Sequence, residues 1–320
     1  MSASGGNKAI VAAFLANFGI AVTKIVAWLF SGSSAMLAEG VHSLADAGNQ
    51  ILLLIGGKRA AKPADDEHPF GYGRVRYVYA FVVAIILFSI GGVFSIVEGV
   101  SKIREPHALE MWWLPLVVLV IAIILESFSM RTAVRESRPL KGKQSWVSFI
   151  RKSKAPELPV VLLEDFAALI GLIIALLGVG LTVITGNGIY DGISTIFIGV
   201  LLVAVAVVLG VEIKGLLVGE GASAEDVKKI EEAMLASKDV ERIIHMKTLY
   251  VDPDRFLVAA KISVAPDITA REISVIVNLA ERRIREAVPA AASIYIEPDV
   301  WIDPNATAPT TSSIVMLSSD

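Results

Sequence analysis

The sequence predicts an α-helical membrane protein, with six transmembrane helices followed by a cytoplasmic α+β domain in the order α-β-β-α-β. Three observations predict this class. The 320 residues are 54% hydrophobic, with a mean hydropathy of +0.65, which is too apolar for a soluble protein. Several apolar runs reach the roughly 20 residues that cross a bilayer as a helix. From about residue 218 onward, the composition changes to that of a small soluble domain.

Six apolar runs are long enough to span a membrane. They account for residues 9–217, the predicted transmembrane domain, and leave residues 1–8 as a short polar N-terminal tail. That tail shows no cleavable signal, so the first run is predicted to be a span. The six predicted spans are Ala9–Phe30, Ser34–Gly56, Tyr77–Val100, Met111–Met130, Leu158–Thr182 and Ile189–Leu217.

Basic residues are distributed unevenly among the connections between the spans. The connection after the second span carries five Lys or Arg residues and the one after the fourth carries eight, whereas the opposite side carries only Lys102 and Arg104. Positively charged loops remain on the cytoplasmic side of a membrane. We therefore expect both termini and the two basic connections to be cytoplasmic.

Residues 218–303 are predicted to form the small C-terminal domain. Ser223 is a suitable N-cap, followed by acidic residues that complement the helix dipole. Alternating apolar residues around an Asp-Pro-Asp turn predict two paired strands. Residues 304–320 are rich in Ala, Thr, Ser and Pro and are predicted to be disordered. The later predicted elements are the strands Ile243–Val251 and Phe256–Val264, the helix Thr269–Val288 and the strand Ser293–Ile296.

A polar stripe crosses the second predicted span. His42, Asp46 and Asn49 are spaced i, i+4 and i+7, which places them within about 60° of one another on a helix, and Glu39 extends the stripe. An imidazole and a carboxylate one turn apart can bind a single divalent cation. At membrane depth such residues are costly unless they face the bundle interior or each other. The alternative is that they only form hydrogen bonds with neighbouring helices.

The fifth predicted span supplies a second carboxylate at similar depth. Asp165 lies about 10 Å from the cytoplasmic end of its span and Asp46 about 12 Å from the same face, at 1.5 Å per residue. The two are therefore predicted to share one site. Glu164 points about 100° away from Asp165 on the same helix. Since the chain has no cysteine, the ligands must be imidazole, carboxylate, amide or water.

Lys24 and Glu126 are further charged residues within the spans. Lys24 could either pair with a carboxylate or extend its ammonium to the membrane interface, and the ion pair is the favoured prediction because a lone ammonium at membrane depth is costly. Glu126 lies near the cytoplasmic end of the fourth span, where an interfacial or packing role and a transport role are equally consistent with its position.

The chain resembles the cation diffusion facilitator family. The resemblance rests on the second-span sequence AEGVHSLADAGNQ, the loop PADDEHPFGYGR, the six spans and the α-β-β-α-β domain, and covers roughly residues 8–303. The segment FIRKSKAPELPVVLLEDFAAL resembles the branch related to the mitochondrial zinc transporter of animals.

This resemblance implies a proton-coupled exporter of divalent metal, most naturally Zn²⁺, and not an enzyme. It implies a homodimer paired through a ferredoxin-like, metallochaperone-like cytoplasmic domain, with no cofactor beyond the transported metal. The expected location is a bacterial inner membrane, and the expected partners are metal ions, protons, lipid and a second copy, without nucleic acid. The alternatives are an exporter of Mn²⁺, Fe²⁺, Co²⁺ or Ni²⁺, or a non-transporting metal-sensing subunit. No His-Glu-x-x-His or nucleophile motif supports an intramembrane metalloenzyme.

The resemblance also implies roles for individual residues. His42 and Asp46 match the family's second-span ligand pair, and Asp165 matches the second position of its fifth-span pair. The first position is Val161, which cannot bind metal. Asn49, Glu164 or water is left as the fourth ligand.

Accessory metal sites of the family are depleted here. In the second connection Asp65 and His68 match the family's pattern, but Tyr72 replaces a His. In the C-terminal domain, His245, Glu297 and Asp299 fall where relatives carry ligands, while other expected histidines are missing. The favoured interpretation of Glu297 and Asp299 is that they are solvated surface charges.

Overall fold

A computed structural model describes residues 3–301, apart from the side chains of residues 3–13, 15, 16 and 88. The chain divides into two compact units: the first contains the residues up to Glu220 together with Val251–Asp254, and the second contains Gly221–Tyr250 together with the residues from Arg255 onward. The tail predicted for residues 304–320 lies outside the described residues.

Long helices at each of the six predicted spans make up the first unit. Among the residues that the structure describes, four helices are long and apolar enough to cross a membrane: Val75–Arg104, Trp113–Lys141, Glu157–Thr185 and Ile189–Val218. The second long helix has 27 residues, or about 40 Å, and its polar stripe lowers its hydropathy. The helices of this unit are α1 (Ala3–Ser31), α2 (Ser34–Ala60), α3 (Val75–Ile86), α4 (Phe94–Arg104), α5 (Trp113–Lys141), α6 (Trp146–Lys152), α7 (Glu157–Thr185) and α8 (Ile189–Val218).

The helices differ from the predicted spans mainly in length and regularity. A π-helical segment, Leu87–Val93, joins α3 to α4 within one continuous helix. Helix α5 continues well beyond Met130 to Lys141, and α1 begins at Ala3 rather than at Ala9. Hydrophobicity locates the part of a helix that crosses lipid, whereas good helix formers extend it past that boundary.

The amino-terminal end of α2 is held by α8. Ser33 Oγ and the backbone N–H of Ser34 donate hydrogen bonds to the Asp191 carboxylate at 2.8 and 2.7 Å, and the Ala35 N–H does so at 3.3 Å. A carboxylate at this position accepts from otherwise unpaired N–H groups and complements the helix dipole. This contact fixes the position of the helix that carries His42.

A buried ion pair joins α1 to α2. Lys24 Nζ lies 3.0 Å from Glu39 Oε2 and donates a second hydrogen bond to Ser43 Oγ at 2.8 Å. The two charged side chains are 3% and 0% exposed. The ion pair predicted for Lys24 is therefore confirmed.

The second unit contains a three-stranded sheet in the order β1-β2-β3, with β2 parallel to β3. Helix α9 (Ala224–Leu235) precedes β1 (Arg242–Asp252) and β2 (Arg255–Ser263), and α10 (Ala270–Ala287) precedes β3 (Ala291–Asp299). The predicted order α-β-β-α-β is confirmed.

Local signals define the elements of this unit. Ser223 accepts a hydrogen bond from the Asp226 N–H, and Thr269 and Glu272 form a capping box at the start of α10. Every second residue of β2 from Phe256 to Ile262 is buried, as expected for a strand with one face on a core. Side chains from both helices and all three strands share that core.

Breaking the Lys24–Glu39 pair should destabilise the helical unit. Removing one member of a buried pair leaves an uncompensated charge, at a cost of about 3–5 kcal/mol, whereas replacing both with apolar groups is much less costly. We expect Glu39→Gln to lower the thermal unfolding midpoint of purified protein, and the double variant Lys24→Met, Glu39→Met to recover most of the loss. A double variant as unstable as the single one would contradict this assignment.

Candidate metal centre

The polar stripe of α2 faces the interior of the helical unit. His42 and Asn49 are 1% and 0% exposed. His42 Nε2 lies 3.4 Å from Asp46 Oδ2, one helical turn further along. In the described part of the chain, neither His42 nitrogen, nor Asp46 Oδ1, nor Asn49 Oδ1 has a hydrogen-bond partner. Buried polar atoms without partners are costly, so this stripe can gain stability from a cation or a proton.

A small cavity lies between α1, α2, α5 and α7. Its volume is about 30 Å³, above the roughly 10–15 Å³ that a cavity needs to hold one water molecule. Four carboxylate residues from three helices line it: Asp46, Glu126, Glu164 and Asp165.

Two of these carboxylates are oriented by neutral partners on other helices. Asn49 Nδ2 donates a hydrogen bond to Glu164 Oε1 at 2.8 Å, and Ser129 Oγ donates one to Asp165 Oδ2 at 2.9 Å. Each bond occupies one carboxylate oxygen. Partners of this kind orient a ligand without replacing it.

The structure thus brings most of the predicted primary residues together. Asp46 and Asp165 line the same cavity, with His42 beside Asp46. Glu164 lines the cavity as well, although its helical angle had suggested that it would turn away from Asp165.

Asn49 and Val161 behave differently from the charged residues. Asn49 does not line the cavity, and its contact with the cavity's residues is the hydrogen bond to Glu164. Val161 is part of the cavity wall, so the apolar substitution does face the candidate site.

Glu126 was not predicted to be a metal ligand from the sequence. The signal that could have identified it is its spacing from Ser129 within an apolar span, since polar residues at i and i+3 lie on one face of a helix.

Among the described residues, no three His, Asp or Glu side chains converge closely enough to hold a metal ion. Forming a ligand shell therefore requires side chains to move within the cavity.

In the predicted loop site, the candidate ligand residues form hydrogen bonds within the loop itself. Tyr72 Oη donates a hydrogen bond to Asp65 Oδ2 and the His68 N–H donates one to Asp65 Oδ1, both at 2.8 Å. The bond from Tyr72, followed by the one from His68, lowers the pKa of the Asp65 carboxyl. The His68 and Tyr72 rings lie against each other with their centroids 4.2 Å apart and their planes tilted by 30°. The loop thus forms a compact turn that packs a ring pair.

The three candidate residues of the C-terminal domain do not form one group. Lys261 Nζ lies 2.9 Å from both Glu297 Oε1 and Asp299 Oδ2. The hydrogen bond from Lys261 is the largest cause that lowers the pKa of Asp299. His245, on β1, lines a surface hollow with Glu231 and Glu241 instead. Glu297 and Asp299 are thus surface ion-pair residues in this structure.

Restoring a histidine in the loop should create a metal site there. Tyr72→His removes the phenol that occupies Asp65 and supplies a second imidazole close to His68. We expect this variant to bind an additional zinc ion per chain in isothermal titration calorimetry. Tyr72→Phe, which removes the hydroxyl without adding a ligand, is the control, and equal zinc stoichiometry in the two variants would refute the prediction.

Two family models match this chain. Residues 10–218 match the model described as the cation efflux transmembrane domain, and residues 222–299 match the cytoplasmic domain of cation efflux proteins.

Two of the relatives that match this chain are longer than it is. The "Proton-coupled zinc antiporter SLC30A9, mitochondrial" of Xenopus laevis is 31% identical over 77% of this chain and 44% of its own length. The "Metal tolerance protein C4" of Arabidopsis thaliana is 29% identical over 80% of this chain and 56% of its own length. Among solved structures, a nickel form of the MamM C-terminal domain covers 25% of this chain and 100% of its own, at 18% identity and a TM-score of 0.24. This chain therefore spans less than two thirds of the length of the Xenopus laevis antiporter and of metal tolerance protein C4.

Proposed function

Because this chain belongs to the cation efflux family, we propose that it exports a divalent metal cation from the cytoplasm in exchange for protons. The observation that carries this proposal is the cavity that Asp46, Glu126, Glu164 and Asp165 line. We propose His42, Asp46 and Asp165 as the primary ligands. Carboxylates are rare at membrane depth, and those that occur there mark ion pathways.

Proton coupling follows from the chemistry of these side chains. Metal binding requires a neutral imidazole and ionised carboxylates, so protons compete with the metal for the same atoms. Carboxylates that share one site cannot all be ionised without a cation to compensate them. A site that opens alternately to each face, holding either metal or protons, exchanges one for the other.

Zinc is the favoured cargo. One imidazole with carboxylate oxygens is a suitable zinc ligand set, and relatives from Xenopus laevis and Homo sapiens are named zinc antiporters. Since oxygen atoms dominate the cavity, Mn²⁺, Fe²⁺, Co²⁺ and Ni²⁺ form the second group of candidates.

The proposed assembly is a homodimer that pairs through the C-terminal domain. Large apolar side chains remain exposed on that domain, and burying them against a second copy would stabilise a pair. They include Leu235, Val275 and Tyr295. The proposed location is a bacterial inner membrane with both termini cytoplasmic, supported by the basic connections.

Removing either primary carboxylate should abolish transport. In reconstituted vesicles, we expect Asp46→Ala and Asp165→Ala each to reduce zinc flux by more than the roughly 10–100-fold that loss of an outer-shell partner costs. Glu98→Gln is the matched control, because Glu98 is also a carboxylate of the helical unit but bonds to Ser34 Oγ at 2.8 Å, outside the cavity.

Two results would count against the proposal. Wild-type flux in either alanine variant would exclude that carboxylate from the site. A wild-type protein that binds zinc in this cavity but moves no zinc across vesicles would favour the non-transporting sensor.

Asn49 should contribute more to zinc affinity than the charge of Glu164 does. Asn49→Ala removes both an amide oxygen of the polar stripe and the donor that holds Glu164 at 2.8 Å, whereas Glu164→Gln keeps the size and removes only the charge. We expect Asn49→Ala to weaken zinc affinity by about tenfold and Glu164→Gln to weaken it less, as measured by competition between zinc and manganese in transport assays. The reverse order would make Glu164 the fourth ligand.

A further inference from the structure

A second, larger groove lies on the outside of the helical unit, between α5, α6 and α7. Its volume is about 380 Å³. Its lining is apolar except for one guanidinium: it includes Met130, Val134, Leu163, Phe166, Trp146 and Arg138. A groove of this size can accommodate part of an acyl chain, but a purely aliphatic ligand would make no hydrogen bond or ion pair with the Arg138 guanidinium.

The short helix α6 forms one wall of the groove. Ser145 caps it by accepting a hydrogen bond from the Ser148 N–H at 3.1 Å. Phe149 is buried in a cluster with Ala133 of α5 and Leu162 of α7. Because Phe149 holds α6 against both long helices, the groove is a built feature of the fold.

The groove lies where a helix leaves the hydrocarbon core. Helix α5 has 29 residues, or about 43 Å, against a core of about 30 Å. The apolar run of α5 ends near Met130, so the turns around Arg138 extend to the depth of the lipid headgroups. Trp146 is half-exposed, with Lys141 Nζ 5.2 Å from its ring centroid. Tryptophan and basic residues together are typical of this interfacial depth.

Charge around the groove is strongly positive. Arg131, Arg135 and Arg138 are spaced i, i+4 and i+7 and form one stripe along α5. Residues 131–154 contain eight Lys or Arg residues and one acidic residue, Glu136. Within the described part of the chain, no carboxylate lies within ion-pair distance of Arg138, whereas Arg151 and Lys154 are paired with Glu212 and Glu220.

We propose that this groove binds an anionic phospholipid of the surrounding bilayer. An acyl chain would lie along Met130, Leu163 and Phe166, and the headgroup phosphate would accept hydrogen bonds from the Arg138 guanidinium. Basic pockets between membrane helices on the cytoplasmic side bind anionic headgroups in this way. A zwitterionic lipid offers the same acyl chain but no net charge to balance the unpaired Arg138.

Trp146 provides a direct test with the full-length protein. Intrinsic fluorescence is measured in mixed micelles that contain phosphatidylglycerol or phosphatidylcholine brominated on the upper acyl chain, and Trp146→Phe identifies the contribution of Trp146. We expect bromine to quench Trp146 at an about fivefold lower mole fraction of the anionic lipid than of the zwitterionic one, the factor expected for one basic residue near an anionic headgroup.

Matched charge variants separate a site from general surface charge. Arg138→Gln should abolish the preference for the anionic lipid, and Arg138→Lys should retain much of it. Arg135→Gln removes the same charge from the same helix at a residue that does not line the groove, and should reduce the preference much less than Arg138→Gln does. Equal quenching by the two lipids in the wild type would overturn the proposal, and so would an equal loss in Arg135→Gln and Arg138→Gln.

Discussion

A charged side chain inside a membrane helix is stable only with a partner, and this constraint organises the helical unit. Glu39 is paired with Lys24, Asp191 accepts from the amino end of α2, and Glu164 is held by Asn49. Among the described residues of the polar stripe, one oxygen each of Glu39, Asp46 and Asn49 and both ring nitrogens of His42 are buried without a hydrogen-bond partner. An arriving cation or proton would stabilise those atoms, so the chemistry of the unit is concentrated there.

Features that depend on local sequence could be predicted well. Hydrophobic runs located all six long helices, and capping residues located the starts of α9 and α10 at Ser223 and Thr269. The i, i+4 spacing placed His42 beside Asp46, because helical geometry alone determines that distance. Equal depth in two spans also anticipated that Asp46 and Asp165 would lie at one cavity.

Features that depend on how helices face one another could not be predicted. The hydrogen bond between Asn49 and Glu164 joins residues far apart in sequence, and a single sequence gives no information about the rotation of one helix against another. The same lack of information left Glu126 undecided between the lipid interface and the cavity. In the loop, the pattern around Asp65 predicted a weakened metal site, but only the structure shows Tyr72 Oη bonded to the Asp65 carboxylate.

Charge balance explains how a cation site can contain a valine. Val161 removes one ligand from α7, yet Glu164 of the same helix and Glu126 of α5 bring further carboxylates to the same cavity. With Asp46 and Asp165, the cavity then offers up to four negative charges, whereas a divalent cation compensates only two. In a medium of low dielectric constant the excess cannot remain ionised, since like charges at one site disfavour one another. Protons must therefore carry part of the balance when metal is bound and more of it when metal leaves, so an oxygen-rich site without a ligand at position 161 favours proton exchange.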